Sequence, residues 1–311
     1  MSEADILGAD FTWAGIQRVA ATPKPPSFFN GRTGYMTGFL GDGHPEVSLP
    51  TFREGFVLNG EVSLLHDGTH ELKYEHFSCV QSSRHRQPLL SACNIHGGML
   101  KSVPRHDTWS YDGRISKEHQ MLREAYGPQN ERKFSRGHMT RRQDPNWGDL
   151  PTARRANIDT FIATNACPQW QPFNDGLWGD LEDYVLNNAD GEDKLVSVFT
   201  GPFLDNVETR FDVSAPRDFW KVVAFISEET GELSAVAYLL SQGEYMDAGV
   251  VGDPIDFNER APASQISIEQ IEARTPLRFG ILTERDVMAG AGVMSAHPIR
   301  RLSDTKLPRK A

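Results

Sequence analysis

Residues Phe219 to Ile226 form a β-rich run, followed by Glu229-Thr230-Gly231-Glu232 and a second run, Leu233 to Leu240. Two such runs around a glycine-bearing turn predict strand, turn and strand, paired with each other. A lone hairpin is marginal in water, so these strands need a larger sheet or a helix against them. The chain offers both. Lys194 to Phe203 is β-rich, and the runs Tyr74 to Val80 and Pro88 to Ile95, separated by the polar segment Gln81 to Gln87, predict two more paired strands. Asn59-Gly60 between Phe56-Val57-Leu58 and Val62 to Leu65 reads as a two-residue hairpin turn. Asp159 to Ala163 reads as a buried strand. Asn174 to Leu186 reads as an amphipathic helix, with Leu177, Leu181 and Tyr184 or Val185 on one face and Asn174 and Asp175 at its cap. Ile266 to Thr275 predicts a short helix opened by Ser267, with Glu269 and Glu272 near its start. The sum is a mixed α+β fold around a largely antiparallel sheet.

With 39% hydrophobic residues in 311, the chain can bury the core of one large domain or two small ones. The first 70 or so residues are rich in Gly and Pro and predict irregular connections and short hairpins. Met1 to Thr22 has early acidic residues and no apolar run of signal-peptide form, and no stretch reaches the roughly 18 apolar residues of a membrane helix. Cys79, Cys93 and Cys167 are too few and scattered for a disulfide framework, and no CxxC pair suggests structural zinc. The expectation is a cytoplasmic protein, with export by a route other than a signal peptide left open.

The net charge is −10, an awkward sum for binding phosphate polymers, but its distribution is uneven. Between Arg132 and Arg155 stand seven basic and two acidic residues, a local balance of +5. Such an island in an acidic chain suits a focused phosphate site, although by itself it reads more simply as a solvated basic loop. Inside it lies Phe134-Ser135-Arg136-Gly137-His138-Met139. Phosphodiester hydrolysis needs a base for water, a cation for the non-bridging oxygens and a metal for the leaving oxygen. His138 and Arg136 are residue types that can supply the first two. The other histidines show no HExxH motif, which speaks against a zinc site of that kind.

Ser135-Arg136-Gly137-His138 is similar to the Asp-Arg-Gly-His motif of the DNA/RNA non-specific endonucleases. About 25 residues later come Thr164-Asn165-Ala166-Cys167-Pro168-Gln169 and Phe173-Asn174-Asp175-Gly176-Leu177-Trp178-Gly179-Asp180-Leu181-Glu182, which resemble that family's asparagine, proline-glutamine and asparagine-to-glutamate pattern in order. Val198 to Pro202, Pro216 with Phe219 to Val222, and Ile268 to Thr275 resemble its later strands and C-terminal helix. Arg105, Trp109, Asp112, Arg114 and Ile115 fit the segment before the motif. The resemblance covers about residues 55 to 285. It leaves 1–54 as an N-terminal extension or part of the same domain, and 286–311 as a basic, flexible tail.

The resemblance implies a ββα-metal catalytic motif within the α+β fold and a metal-dependent endonuclease acting on DNA, RNA or both with little sequence preference. His138 would be the general base and Asn174 the one direct protein ligand of Mg²⁺, with Mn²⁺ as the alternative ion. Glu182 would hold a metal-bound water; eight residues after Asn174, it stands about 80° round a straight helix, so both can face one site. Asn165 would orient His138 or its neighbourhood. Arg136, Arg105 and Arg141 would bind phosphate, with Arg114 able to replace Arg105, and Gly137 would allow a tight turn. Partners implied are nucleic acid and no membrane, with a homodimer and an inhibitor or activator also open.

Ser135 departs from the family's aspartate, and Leu186 stands where some relatives carry a basic residue. Two other readings therefore stay open: a catalytically weakened nucleic-acid-binding protein on a nuclease scaffold, and a phosphodiesterase acting on small nucleotides.

Overall fold

The computed structural model describes residues 21–122, 126, 134–190, 194–210, 213–248, 263–290 and 296–298. Its strands, in chain order, are β1 (Thr51–Phe52), β2 (Leu72–Tyr74), β3 (Phe77–Gln81), β4 (Pro88–His96), β5 (Phe134–His138), β6 (Ala166–Trp170), β7 (Leu195–Pro202), β8 (Val207–Arg210), β9 (Val213–Pro216), β10 (Asp218–Ile226), β11 (Leu233–Ser241), β12 (Ala263–Ile266), β13 (Leu277–Arg278) and β14 (His297–Pro298). Three helices matter below: α1 (Leu150–Asp159), α2 (Gly179–Asp190) and α3 (Ile268–Arg274).

Eight strands build one sheet in the order β14-β12-β11-β10-β7-β4-β3-β2, with every neighbouring pair antiparallel. The mixed α+β fold with a largely antiparallel sheet is therefore as the sequence predicts, and β10–β11 is the expected hairpin, closed at Gly231 with φ of 70°. Phe219, Val223 and Phe225 of β10 enter one hydrophobic cluster, whereas Trp220, Val222 and Ala224 enter another. Both faces are covered, so β10 reads as a continuous buried run and not as an in–out alternation. No helix among the described residues is long and apolar enough to cross a membrane.

Several local expectations are corrected. Asn59-Gly60 does not close a hairpin: Phe56 to Gly60 lies in consecutive turns, with Asn59 N–H bonded to Gly55 O at 3.0 Å, and Val62 bridges to Ser82 instead. Pairing with β3 outweighed the local turn signal. Tyr74 to Val80 is two strands, because the chain reverses at Glu75-His76, where His76 has φ of 66°. Its second half, β3, does pair with β4. Asp159 to Ala163 is not a strand. It is the end of α1 and the start of a 3₁₀ turn over Ala163–Asn165, with Thr160 N–H still bonded to Ala156 O. A short apolar run cannot by itself separate a strand from a buried helix end. The signals for α1 were Asp149, whose side chain accepts from Thr152 N–H, and Pro151 in the first turn.

The helix at Asn174 to Leu186 is interrupted. Gln171–Phe173 makes one α-turn, Asn174–Trp178 makes a π-helical turn with Gly176 at φ −99° and ψ −113°, and α2 follows. Asn174 ends the first turn with helical dihedrals and caps no N-terminus. Leu181, Tyr184 and Val185 are buried as expected, while the side chain of Leu177 lies outside the described residues. Helix α3 does open at Ser267 in a reciprocal cap with Gln270, but Ile266 belongs to β12. Residues 1–20, Arg132 and Lys133 of the basic island, and most of the C-terminal tail lie outside the described residues.

Candidate active site

Strands β5 and β6 pair antiparallel as a separate two-stranded ribbon, with Arg136 opposite Pro168, Gly137 opposite Cys167 and His138 opposite Ala166. Gln242 ties the ribbon to the end of β11, accepting from Trp170 N–H at 2.6 Å and donating to Pro168 O at 3.1 Å. Gly137 is needed for a reason other than the tight turn expected of it. It lies within β5, and a Cβ there would stand 1.8 Å from Gln169 Oε1 and 2.2 Å from its Cδ. The glycine admits the buried Gln169 side chain across the ribbon. Ser135, in the position of the family's aspartate, donates to Gln169 O at 3.0 Å.

His138 ends β5 against two aromatic walls, with Trp109 at 4.8 Å and Phe161 at 5.0 Å between ring centroids. Its Nε2 is buried and has no hydrogen-bond partner. Burial, reinforced by Arg105, Arg142 and Arg136, pushes the imidazole down to about 3, so it is neutral at ordinary pH. The Arg136 guanidinium lies over Trp109 at 5.4 Å and that of Arg105 over Phe161 at 5.2 Å. The walls that hold the ring thus also carry two of the cations.

Asn165 is fully buried and spends its amide on the backbone. Nδ2 donates to Thr140 O at 2.9 Å and Thr160 O at 3.1 Å, and Oδ1 accepts from Thr140 N–H at 2.8 Å. It clamps the chain two residues beyond His138 to the end of α1 and does not depend on the ring itself.

Asn174 is half-buried, and its Nδ2 donates to Asp175 Oδ1 at 3.2 Å. Phe219 of β10 stacks on Phe173 at 5.6 Å and meets Trp178 edge-on at 5.4 Å, so the kinked segment is anchored to the sheet on both sides of Asn174. The π-helical turn between Asn174 and Glu182 removes the basis of the straight-helix angle of about 80°. Glu182 is buried in α2, its Oε1 without a hydrogen bond. Burial raises its carboxyl to about 7, against the lowering effect of Lys221. Nearby Asp144, also buried, is raised by burial to about 6, with Arg141 and Lys221 opposing.

The arginines of the basic island and of the segment before it separate into two groups. Arg105, Arg136 and Arg142 act on His138. Arg141 instead bonds Asp183 and lies 4.0 Å from Glu182, and Arg155 bonds Glu75 at 2.6 Å. Arg114 wraps Asp112, with Nη2 to Oδ2 at 2.7 Å, and stacks on Phe29 at 3.9 Å, so it is committed to the core. Arg105 has an exposed side chain paired with Asp107. Sequence reasoning gave no role to Asp144, and none to Phe161 or Lys221 beyond predicted strands. For Lys221 a signal existed: it is the one charge within the apolar run Phe219 to Ile226.

Among the described residues no group of three or more His, Cys, Asp or Glu could hold a metal ion. The donors available near the kink are oxygens, the Asn174 side-chain carbonyl and the Glu182 carboxylate, whose Oε1 has no hydrogen bond and lies 3.7 Å from Lys221 Nζ. They fit a hard ion that keeps most of its water, such as Mg²⁺.

Residues 58–285 match the family model described as DNA/RNA non-specific endonuclease. The uncharacterized protein y4fB of Sinorhizobium fredii is 32% identical over 302 residues, which are 92% of this chain and 44% of that protein. A nuclease of a Nostoc species is 24% identical over 147 residues, 47% of this chain and 50% of that protein. The chain thus spans about half the length of the curated relatives it matches. A chain of the crystal structure of an EndoG/EndoGI complex, described as giving the mechanism of EndoG inhibition, shares the fold at a TM-score of 0.51 and 19% identity, over 68% of this chain and 85% of that one. A family match across the ribbon, the kinked helix and the central sheet means that this chain belongs to the DNA/RNA non-specific endonuclease family.

Proposed function

We propose that this chain hydrolyses phosphodiester bonds in DNA, RNA or both with little sequence preference. The observation that carries the reading is His138: a neutral imidazole with an unpartnered, buried Nε2, set among three arginines. A water beside Nε2 would lose its proton to His138 as its oxygen attacks phosphorus. Arg136 and Arg105 would neutralise the non-bridging oxygens. Asn165, by clamping Thr140, fixes where the imidazole stands. Asn174 would hold Mg²⁺, or Mn²⁺, with Glu182 accepting from the water around it. The ion, when bound, would offset the charge that develops on the departing sugar oxygen. The contacts so assigned are to phosphate and carry no base information, hence the low sequence preference.

The arrangement of β5, β6 and the kinked helix supports a ββα-metal motif with a long insertion between its strands. Arg141 is a weaker phosphate ligand than Arg105, because Asp183 and Glu182 engage it. By analogy with EndoG, a protein inhibitor is a partner worth seeking.

Purified protein incubated with supercoiled plasmid and with RNA in Mg²⁺ is expected to cut both, to stop in EDTA, and to lose about 10²–10⁴-fold in rate on His138→Ala. Nucleic acid bound but uncut by the unmodified protein would favour the weakened binder, consistent with Ser135. Cleavage confined to dinucleotides would favour the small-substrate phosphodiesterase.

A further inference from the structure

Lys221 is 1% exposed, on a strand where every other residue from Phe219 to Phe225 is apolar and buried. In register it stands opposite Thr200, which in turn stands opposite Ser91, so a polar row crosses β10, β7 and β4. Phe219 and Val223, two residues either side of Lys221 along β10, belong to the cluster that also contains Trp178, Leu181 and Val185 of the kinked helix. Lys221 therefore lies on the face of the sheet that the helix covers.

Its Nζ donates to Thr200 Oγ1 at 3.1 Å, lies 3.7 Å from Glu182 Oε1 and sits over the Trp178 ring at 4.7 Å. The charged groups around Glu182 come from three elements. They are Lys221 from β10, Arg141 and Asp144 from the segment after β5, and Asp183 from α2 itself. Arg141 gives its closest bond to Asp183 and stands at 4.0 Å from Glu182. Among the described residues Lys221 is thus the cation nearest to Glu182, and it arrives through the core while the proposed active-site residues arrive from the ribbon and helix.

A buried ammonium is costly unless paired, and Thr200 alone supplies no negative charge. We propose that Lys221 is a positioning residue for the cleavage reaction, its ammonium holding the Glu182 carboxylate in place from the sheet side. The proposal rests on the nuclease reading for its catalytic consequence, and on the ion pair alone for its structural one.

The test is a thermal-denaturation series on the metal-free full chain, comparing the unmodified protein, Lys221→Met, Glu182→Gln and the double variant, between about pH 5.5 and about pH 8. With Lys221 gone, Glu182 must ionise in the core without its cation. The melting-temperature loss of Lys221→Met is then expected to grow as pH rises and largely to disappear when Glu182 is also Gln. In plasmid cleavage, Lys221→Met is expected to lower kcat about 10- to 100-fold with KM little changed, and to move the acid limb of kcat to higher pH. A loss of stability that is the same at every pH and persists beside Glu182→Gln would make Lys221 a packing residue only and overturn the proposal. A kcat profile of unchanged height and shape would do the same. If the unmodified protein cut no nucleic acid, the nuclease reading would fall instead, and the thermal series would still decide the ion pair.

Discussion

His138 is pushed down to about 3 and Glu182 up to about 7, and the consequences run in opposite directions. For His138 the folded value lies below the unfolded one of about 6.5. Its contribution to stability is therefore present above that pH and is lost as pH falls toward 3. For Glu182 the folded value lies above the unfolded one, so its contribution is present at low pH and is lost as pH rises through 7. The same asymmetry separates their roles in the proposed reaction. His138 remains neutral throughout the working range, so it does not set the acid limb of activity. That limb is expected near pH 7, where Glu182 ionises, and in Glu182→Gln it should vanish from a much slower enzyme. A limb that persists unchanged in that variant would assign it to another group. In the same variant, unfolding midpoints measured from pH 5 to 8 are expected to vary less than in the unmodified protein, about one ionisation having been removed.

At the scale of elements, the site depends on how the ribbon and the kinked helix are fixed. Gly137 and Gln169 are a cross-ribbon pair, so Gly137→Ala is expected to destabilise by about 1–3 kcal/mol through overpacking. The three atoms nearest the added Cβ all belong to the Gln169 side chain, and Gln169→Ala should recover most of that loss; recovery is read from paired urea melts. Asn165 is the equivalent fixture just beyond the C-terminal end of β5. In Asn165→Ala the Thr140 N–H and two carbonyls lose a buried partner. The expected destabilisation is about 1–3 kcal/mol per group left unpaired, with a fall in kcat larger than any change in KM. Equal melting temperatures for Asn165→Ala and the unmodified protein would contradict the clamp. Asn174 illustrates the reverse dependence. Its place is set by Phe173 and Trp178 packing round Phe219, and the cap chemistry that Asn174-Asp175 suggests is not used.

For the whole molecule, a net charge of −10 opposes any phosphate polymer, so in the proposed function binding is left to the few cations around His138. Duplex binding by the His138→Ala protein should therefore weaken steeply with salt, and Arg105→Ala should reduce the slope of log K against log salt by about 1. A slope unchanged in Arg105→Ala would remove that residue from the phosphate contacts. The sequence alone determined the α+β class and the β10–β11 hairpin, and its resemblance to the endonuclease family singled out His138, Asn165, Asn174 and Glu182 as candidates. Such features are local or periodic, or stand in a motif of fixed spacing, so one segment carries them whatever its partners are. Tertiary structure decided the rest. Val62 left the Asn59-Gly60 turn for Ser82, Gly137 proved to be required by a side chain on another strand, and Arg141 and Arg155 were claimed by acids from distant segments. Lys221 came to lie against Glu182 from across the core. Each of these depends on which residues long-range pairing brings together, where a buried charge or a close contact takes its meaning from its neighbours in space and not from those in the chain.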